Sequence, residues 1–118
     1  REGMASQLLR TTVPRSLGQP LKNASTLLTS VYSARPVLAG HVVLVPRRRG
    51  VGRVVQLTTE ERNDLFGIVQ RMCTEVEGRE GGCNLVVNDG PGAGSPPEFT
   101  QLHVHLVPRR EGDLEEND

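Results

Sequence analysis

The chain has 118 residues, with 14 basic and 14 acidic side chains, three aromatic residues and two cysteines. This length fits one small domain, and no apolar run approaches the ~20 residues that are needed to span a membrane. Two cysteines exclude the disulfide framework of a small secreted protein and predict free thiols in the cytoplasm.

The net charge of zero conceals a basic first half. No acidic residue lies between Gly3 and Thr59. The basic residues of that interval are Arg10, Arg15, Lys22, Arg35, Arg47, Arg48, Arg49 and Arg53. Such a field concentrates anionic ligands such as nucleotides, and a solvated arginine face is the alternative for each residue taken singly. The scarcity of aromatic side chains disfavours a nucleic-acid groove.

Three regions are expected along the chain. Residues 1–19 are predicted to be irregular, and their Arg, Ser and Thr content resembles a weak organellar presequence, which makes a mitochondrial location the alternative to the cytoplasm. The folded domain is expected at residues 20–110. Residues 111–118 are too acidic to fold alone, which predicts a mobile tail.

Two strands are predicted before the first helix. The first is the short apolar run Leu27–Tyr32, and the second is the β-branched run Gly40–Pro46, bounded by glycine and proline. A turn is expected between them. His41 directly follows Gly40 at the start of the second strand.

A capping box predicts where the helix begins. Thr58 and Glu61 are three residues apart, so that the hydroxyl can accept from a first-turn amide while the carboxylate reaches back. Apolar residues then recur at intervals of three and four and form one stripe. They are Leu65, Ile68, Val69, Met72 and Val76. We expect the helix to end at Gly78, and Met72 and Cys73 to pack rather than to react.

A third strand is predicted at Gly82–Asn88, and it leads into a glycine-rich loop over residues 89–97. Glycines allow close approach of the backbone to a ligand and expose amides that can bind an anion. An ordinary turn is the alternative for this composition.

The last predicted strand contains two of the three histidines of the chain. Alternate residues of a strand share a face, so Gln101, His103 and His105 are expected together. The apolar face is expected to hold Leu102, Val104 and Leu106. A neutral imidazole can act as a nucleophile while a neighbour relays a proton, but alternate histidines are also typical of zinc sites. The spacing alone is therefore compatible with both a catalytic histidine pair and a zinc site.

The order of elements predicts an α+β domain with an antiparallel sheet of about five strands, one principal helix and a short second helix. Residues 36–46, 88–91 and 101–110 together resemble the histidine triad superfamily, and specifically its fragile-histidine-triad branch of dinucleoside polyphosphate hydrolases. The resemblance extends over about residues 21–114. It implies a homodimer in which the two sheets join, and a nucleotide pocket on the polar face of the last strand.

The resemblance also implies roles for individual residues. His103 corresponds to the nucleophile that forms a nucleotidyl-histidine, His105 to a phosphate contact and His41 to a supporting histidine. Gln101 stands where the family has its first triad histidine, and it cannot relay a proton. The nucleotide-binding positions that the resemblance implies are Ser33, Asn88, Gly94, Ser95 and Thr100. No covalently bound cofactor or protein-held metal is implied, and Mg²⁺ or Mn²⁺ would accompany the nucleotide.

The predicted function is cleavage of diadenosine tri- or tetraphosphate at the α-phosphate. The expected partners are the nucleotide and a second copy of the chain, with neither a membrane nor a nucleic acid. Two alternatives remain: a phosphoramidate hydrolase of the other main histidine triad branch, and a nucleotide-binding signalling protein in which Gln101 reduces turnover.

Overall fold

The computed structural model describes residues 18–21, 23–33, 40–77, 82–90 and 100–109, with the side chains of residues 75–77 excepted. The predictions for Gly94, Ser95, the helix end at Gly78 and the acidic tail lie outside these ranges. So does the predicted irregular segment, apart from residues 18 and 19.

The described part of the chain forms one antiparallel sheet and one long helix, which confirms the predicted α+β class. The strands are β1 (Gln19–Pro20), β2 (Thr29–Ser33), β3 (Val42–Pro46), β4 (Gly82–Asn88) and β5 (His103–Arg109). Their spatial order is β1-β2-β3-β5-β4, with every pair antiparallel. The strand β5 therefore lies between β3 and β4.

Strand boundaries differ from the predicted ones where local hydrogen bonds compete with the ladder. Strand β2 begins at Thr29 rather than Leu27, because the Thr26 hydroxyl accepts from the amides of Leu28 and Thr29 and bends the chain. The strand β3 begins two residues after Gly40, which has a φ of 85°. A Cβ at Gly40 would also lie 3.2 Å from Pro108 Cγ.

A two-residue edge strand, β1, was not predicted. Gln19 was assigned to the irregular segment, but it pairs with Ser33, and Pro20 pairs with Tyr32. Proline lacks a ladder donor and is tolerated at a sheet edge. Composition alone does not reveal so short a strand, because pairing with β2 is what holds these two residues in an extended conformation.

Helix α1 spans Thr59–Glu77, and its predicted capping box is confirmed. The Thr58 hydroxyl accepts from the Glu61 amide at 3.0 Å, and the Thr58 amide donates to Glu61 Oε1 at 2.9 Å. A short second helix is present as a 3-10 turn at Val54–Gln56. Among the described residues, no helix has the length and apolarity that crossing a bilayer requires.

The core lies between α1 and one face of the sheet. The buried members of this cluster are Val31, Val42, Leu44, Leu65, Ile68, Val69, Val104 and Leu106. Each such side chain contributes about 1.5–3 kcal/mol relative to an exposed one. Met72 and Cys73 pack against the cluster, as expected. The histidines of β5 alternate with Val104 and Leu106 and are therefore directed to the opposite face of the sheet.

Candidate active site

His103 is the first residue of β5 and is only 1% exposed. Its Nδ1 lies 3.0 Å from the carbonyl oxygen of Gln101. A carbonyl can only accept, so Nδ1 carries the ring proton and Nε2 holds the lone pair. Asn88 Nδ2 lies 3.0 Å from that Nε2 and donates to it. The hydrogen bonds thus assign the tautomer in which Nε2 is free of a proton and able to act as a nucleophile.

Asn88 reaches His103 because the two residues pair in the ladder. They are opposite each other in the β4–β5 register. Two strands predicted separately from the sequence therefore bring together an amide donor and the candidate nucleophile. The predicted participation of Asn88 in the site is consistent with this geometry.

The other two histidines contact each other directly. His41 Nε2 lies 2.9 Å from His105 Nδ1, and the His103 and His105 ring centroids are 5.4 Å apart. The buried Nδ1 of His41 has no hydrogen-bond partner within the described ranges. Since a buried N–H without an acceptor is rare, we assign the proton of His41 to Nε2, which donates to His105. The proton of His105 is then on Nε2, where it can be donated to a ligand.

Both members of this pair are neutral at pH 7. The pKa of His105 is lowered to about 4, mainly by burial and to a smaller extent by the nearby imidazoles of His103 and His41. Burial also lowers the pKa of His41. His105 therefore acts as a neutral hydrogen-bond donor in the free protein.

The low pKa of His105 predicts a pH-dependent stability. The folded value of about 4 is below the ordinary value of 6.5, so the unfolded chain takes up this proton first as the pH falls below 6.5. Because His105 is partly exposed, we expect a loss of only about 1 kcal/mol between pH 7 and pH 5. Urea unfolding at the two pH values measures this loss.

The control for this prediction is His105→Gln, in which the loss between pH 7 and pH 5 should become smaller. An NMR titration of the His105 ring in the wild-type protein should give a midpoint near 4. A midpoint at the ordinary value would show that the imidazole is solvated and would contradict the prediction.

The structure does not bring every predicted binding residue to the histidines. Ser33 is exposed and lies opposite Val42, a core residue, so its position in β2 belongs to the helix side of the sheet. The row that crosses the site face at His105 contains Val43 of β3 and Tyr32 of β2. Tyr32 is half-buried, and its place in this row could not be predicted from the sequence because strand register is a tertiary property.

Thr100 and Gln101 lie just before β5. Thr100 is exposed, and no contact with the histidines is described for it. Gln101 is 8% exposed, and its Nε2 donates to the carbonyl oxygens of Pro46 and Arg48 at 3.2 and 2.5 Å. The strand begins at His103 and not at Gln101 as predicted.

The imidazole nitrogens of the three histidines bond to one another and to neighbouring protein groups. Both ring nitrogens of His103 have protein partners, and one nitrogen each of His41 and His105 is used in their mutual contact. In the described part of the chain, no group of three or more His, Cys, Asp or Glu side chains is arranged to hold a metal ion.

Three arginines of the basic first half form hydrogen bonds or ion pairs within the protein. Arg48 pairs with Glu61 at 2.9 Å, and Arg53 pairs with Asp89 at 3.1 Å. Arg47 Nε donates to the Thr26 carbonyl. Their contacts account for these residues structurally, although their charges still contribute to the surrounding potential.

Comparison with known proteins gives a family match and several similar proteins. The model of the HIT domain family matches residues 24–112. The chain is 35% identical over 97 residues to the bifunctional bis(5'-adenosyl)-triphosphatase/adenylylsulfatase FHIT of Arabidopsis thaliana, covering 80% of this chain and 52% of that one. It is 38% identical over 91 residues to the bis(5'-adenosyl)-triphosphatase of Dictyostelium discoideum, covering 75% and 59%.

A third relative is the asymmetrical bis(5'-nucleosyl)-tetraphosphatase of Schizosaccharomyces pombe, with 32% identity over 117 residues, 98% of this chain and 62% of that one. The chain thus spans 52–62% of the length of these relatives. Among solved structures, the NitFhit protein of C. elegans aligns with a TM-score of 0.65 and 32% identity, covering 80% of this chain and 23% of that one.

Proposed function

This chain belongs to the HIT domain family, and on that premise we propose that it hydrolyses dinucleoside polyphosphates of the diadenosine tri- or tetraphosphate type at the α-phosphate. The observation that carries the proposal is the buried His103, whose Nδ1–H···O bond to Gln101 leaves Nε2 unprotonated. The names of the relatives in Arabidopsis, Dictyostelium and Schizosaccharomyces support the substrate class. We assign this activity to a domain at residues 20–110.

In the first proposed step, His103 Nε2 attacks the α-phosphorus. An N–P bond forms, and the bond from that phosphorus to the bridging oxygen breaks, so the remaining nucleotide leaves with the oxygen. The attacking ring becomes positively charged, and its Nδ1–H bond to the Gln101 carbonyl stabilises that charge. Asn88 must first release Nε2, which frees its amide to donate to a phosphate oxygen.

In the second proposed step, water attacks the phosphorus of the nucleotidyl-histidine. The N–P bond breaks, the nucleoside monophosphate leaves, and His103 is restored. Splitting one difficult substitution into two in this way is the general advantage of covalent catalysis.

His105 supports the developing charge. Its Nε2–H is available because Nδ1 accepts from His41, and a neutral donor directed at phosphate oxygens stabilises the transition state without having to release a proton. His41 supports His105 in this role, because its hydrogen bond to Nδ1 keeps the proton of His105 on Nε2. We further propose that Mg²⁺ or Mn²⁺ enters as part of the nucleotide substrate and binds its phosphates.

The function is tested by incubating the protein with diadenosine triphosphate, diadenosine tetraphosphate or adenosine 5'-phosphoramidate, each with Mg²⁺ or Mn²⁺. We expect AMP and ADP from the triphosphate, or AMP and ATP from the tetraphosphate, measured by chromatography. AMP from the phosphoramidate alone would favour the other histidine triad branch. Tight nucleotide binding without product would favour a signalling protein, and both results would contradict the proposed hydrolase.

We also propose that the protein is a homodimer joined through β4. This strand pairs with β5 on one side and is at an end of the sheet, so its other edge offers backbone donors and acceptors to a second chain. Its apolar residues Leu85, Val86 and Val87 are 39%, 47% and 38% exposed. An exposed apolar edge of this kind favours strand pairing between copies.

Sedimentation analysis tests the dimer. The wild-type protein should sediment as a dimer, and Val86→Lys should shift it toward monomer because a charge on an edge strand opposes pairing. Val55→Lys is the matched control, since Val55 is 84% exposed on the 3-10 turn. A wild-type monomer, or equal effects of the two lysines, would contradict pairing through β4. We propose a cytoplasmic location, supported by the free thiol of Cys73.

A further inference from the structure

We propose that Gln101 is a positioning residue that fixes the tautomer of His103, and that its side chain takes no part in proton transfer. This inference rests on the proposed function for the role of His103. It explains why a glutamine can occupy the position where the family has the first histidine of its triad.

The side-chain amide nitrogen of Gln101 bonds to two main-chain carbonyl groups of the fold. An amide nitrogen has two N–H donors, and Gln101 Nε2 lies within hydrogen-bond distance of two carbonyl oxygens, those of Pro46 and Arg48. The residue is 8% exposed, so water does not compete well for these groups. A neutral amide neither gains nor loses a proton near pH 7. The side chain therefore joins two segments of main chain and does not act as an acid or a base.

The backbone of the same residue holds the candidate nucleophile. The Gln101 carbonyl accepts from His103 Nδ1 at 3.0 Å, and the next amide, that of Leu102, donates to the Val51 carbonyl at 2.7 Å. The peptide unit between residues 101 and 102 is thus restrained at both its carbonyl and its N–H. Because that carbonyl requires a proton on Nδ1, its orientation determines that the lone pair of His103 is on Nε2.

The carbonyl groups that receive the Gln101 amide are themselves held in place. Pro46 ends β3, and the Arg48 side chain donates from Nε and Nη2 to the two Glu61 carboxylate oxygens at 3.0 and 2.9 Å. Glu61 also caps α1. Hydrogen bonds of Glu61, Arg48 and Gln101 therefore connect the start of the helix with the candidate nucleophile. Gln101 is the residue that links this series to β5.

An imidazole at position 101 could not make the same contacts. Neutral histidine has one N–H, so it could donate to the carbonyl of Pro46 or of Arg48 and would leave the other without this partner. The hydrogen bond that is lost contributes about 0.5–1.5 kcal/mol. In this chain, the glutamine is therefore better matched to its surroundings than the family's histidine.

The test compares Gln101→Met and Gln101→His with the wild-type protein. Methionine has a similar length and no donors, and histidine restores the triad. Two quantities are measured: the ¹⁵N chemical shifts of the His103 ring, which report its tautomer, and the single-turnover rate of nucleotidyl-His103 formation. Ile68→Val is the matched control, because it lowers stability from the core between α1 and the sheet without touching these hydrogen bonds.

We expect the wild-type His103 to carry its proton on Nδ1. Gln101→Met should give a mixture of tautomers and a nucleotidylation rate lower by about 10–100-fold, while Ile68→Val leaves both unchanged. Gln101→His should not exceed the wild-type rate. A faster Gln101→His would show that residue 101 acts by proton transfer, and a wild-type-like Gln101→Met would show that it does not position His103.

The two proposals fail in different ways. If no nucleotidyl adduct forms in the wild-type protein, the proposed function is wrong, but the ¹⁵N shifts still decide the role of Gln101. If Gln101→Met does not fold, the shifts of the wild-type protein and of Gln101→His carry the test. A proton on Nε2 of His103 in the wild-type protein would overturn the inference.

Discussion

Replacing His103 with asparagine is expected to abolish turnover, with kcat/KM falling about 10⁴-fold or more. The variant lacks the ring nitrogen that we propose as the nucleophile. Asparagine places an amide N–H close to where the Nδ1–H of His103 donates to the Gln101 carbonyl, so the buried contact is retained. Rapid-quench mass spectrometry with diadenosine triphosphate should find a nucleotidyl group on His103 of the wild-type protein and none on the variant.

The folded state provides the control for this result. Asparagine should change the free energy of unfolding by no more than about 2 kcal/mol, mainly through the volume it leaves empty, so that lost activity cannot be attributed to unfolding. Activity within tenfold of the wild-type value would show that His103 is not the nucleophile. An adduct on His105 would transfer that role to its neighbour.

The largest effect on stability is expected from Glu61→Ala, which should lower the free energy of unfolding by about 2–4 kcal/mol. The Glu61 side chain is 5% exposed. Its carboxylate accepts from Arg48 Nε, Arg48 Nη2 and the Thr58 amide. Alanine leaves these donors without their partner, although the half-exposed Arg48 can recover some hydration. Urea unfolding at pH 7 measures the loss.

Glu60→Ala is the matched control, because Glu60 is an exposed glutamate in the same turn. Its loss should be at most about 1 kcal/mol, the value of a charge near a helix N-terminus. The pH adds a second check. Arg48, and then Thr58, hold the pKa of Glu61 below its ordinary value of 4.5. The contribution is therefore present above pH 4.5 and is lost as the pH falls through the folded value. Equal losses for the two alanine variants would contradict the role of the buried pair.

The elements that the sequence predicted well are those whose signal is local. Thr58 and Glu61 satisfy each other within one turn, and the alternation of His103 and His105 with Val104 and Leu106 follows from the period of a strand. In each case the residue type and its spacing contain the necessary information.

The features that were missed depend on groups far away in the chain. Gln101 was placed on the polar face of a strand, but its amide finds the carbonyls of Pro46 and Arg48, 55 and 53 residues earlier. The role of Ser33 in binding the nucleotide stays a prediction, while the presence of Tyr32 in the row of His105 follows from the β2–β3 register and was not predicted. A shift of one residue in register reverses the face of every side chain, and no local pattern fixes that register.

The position of β5 has a consequence for biosynthesis. It is the last described strand along the chain, yet it lies between β3 and β4 in the sheet. While the protein is being synthesised, β3 and β4 therefore leave the ribosome before β5, which pairs with both, and unpaired strand edges are prone to association. The strand that closes the sheet also brings in His103 and His105. A chain to which β5 has not yet been added therefore lacks two of the three histidines of the candidate site.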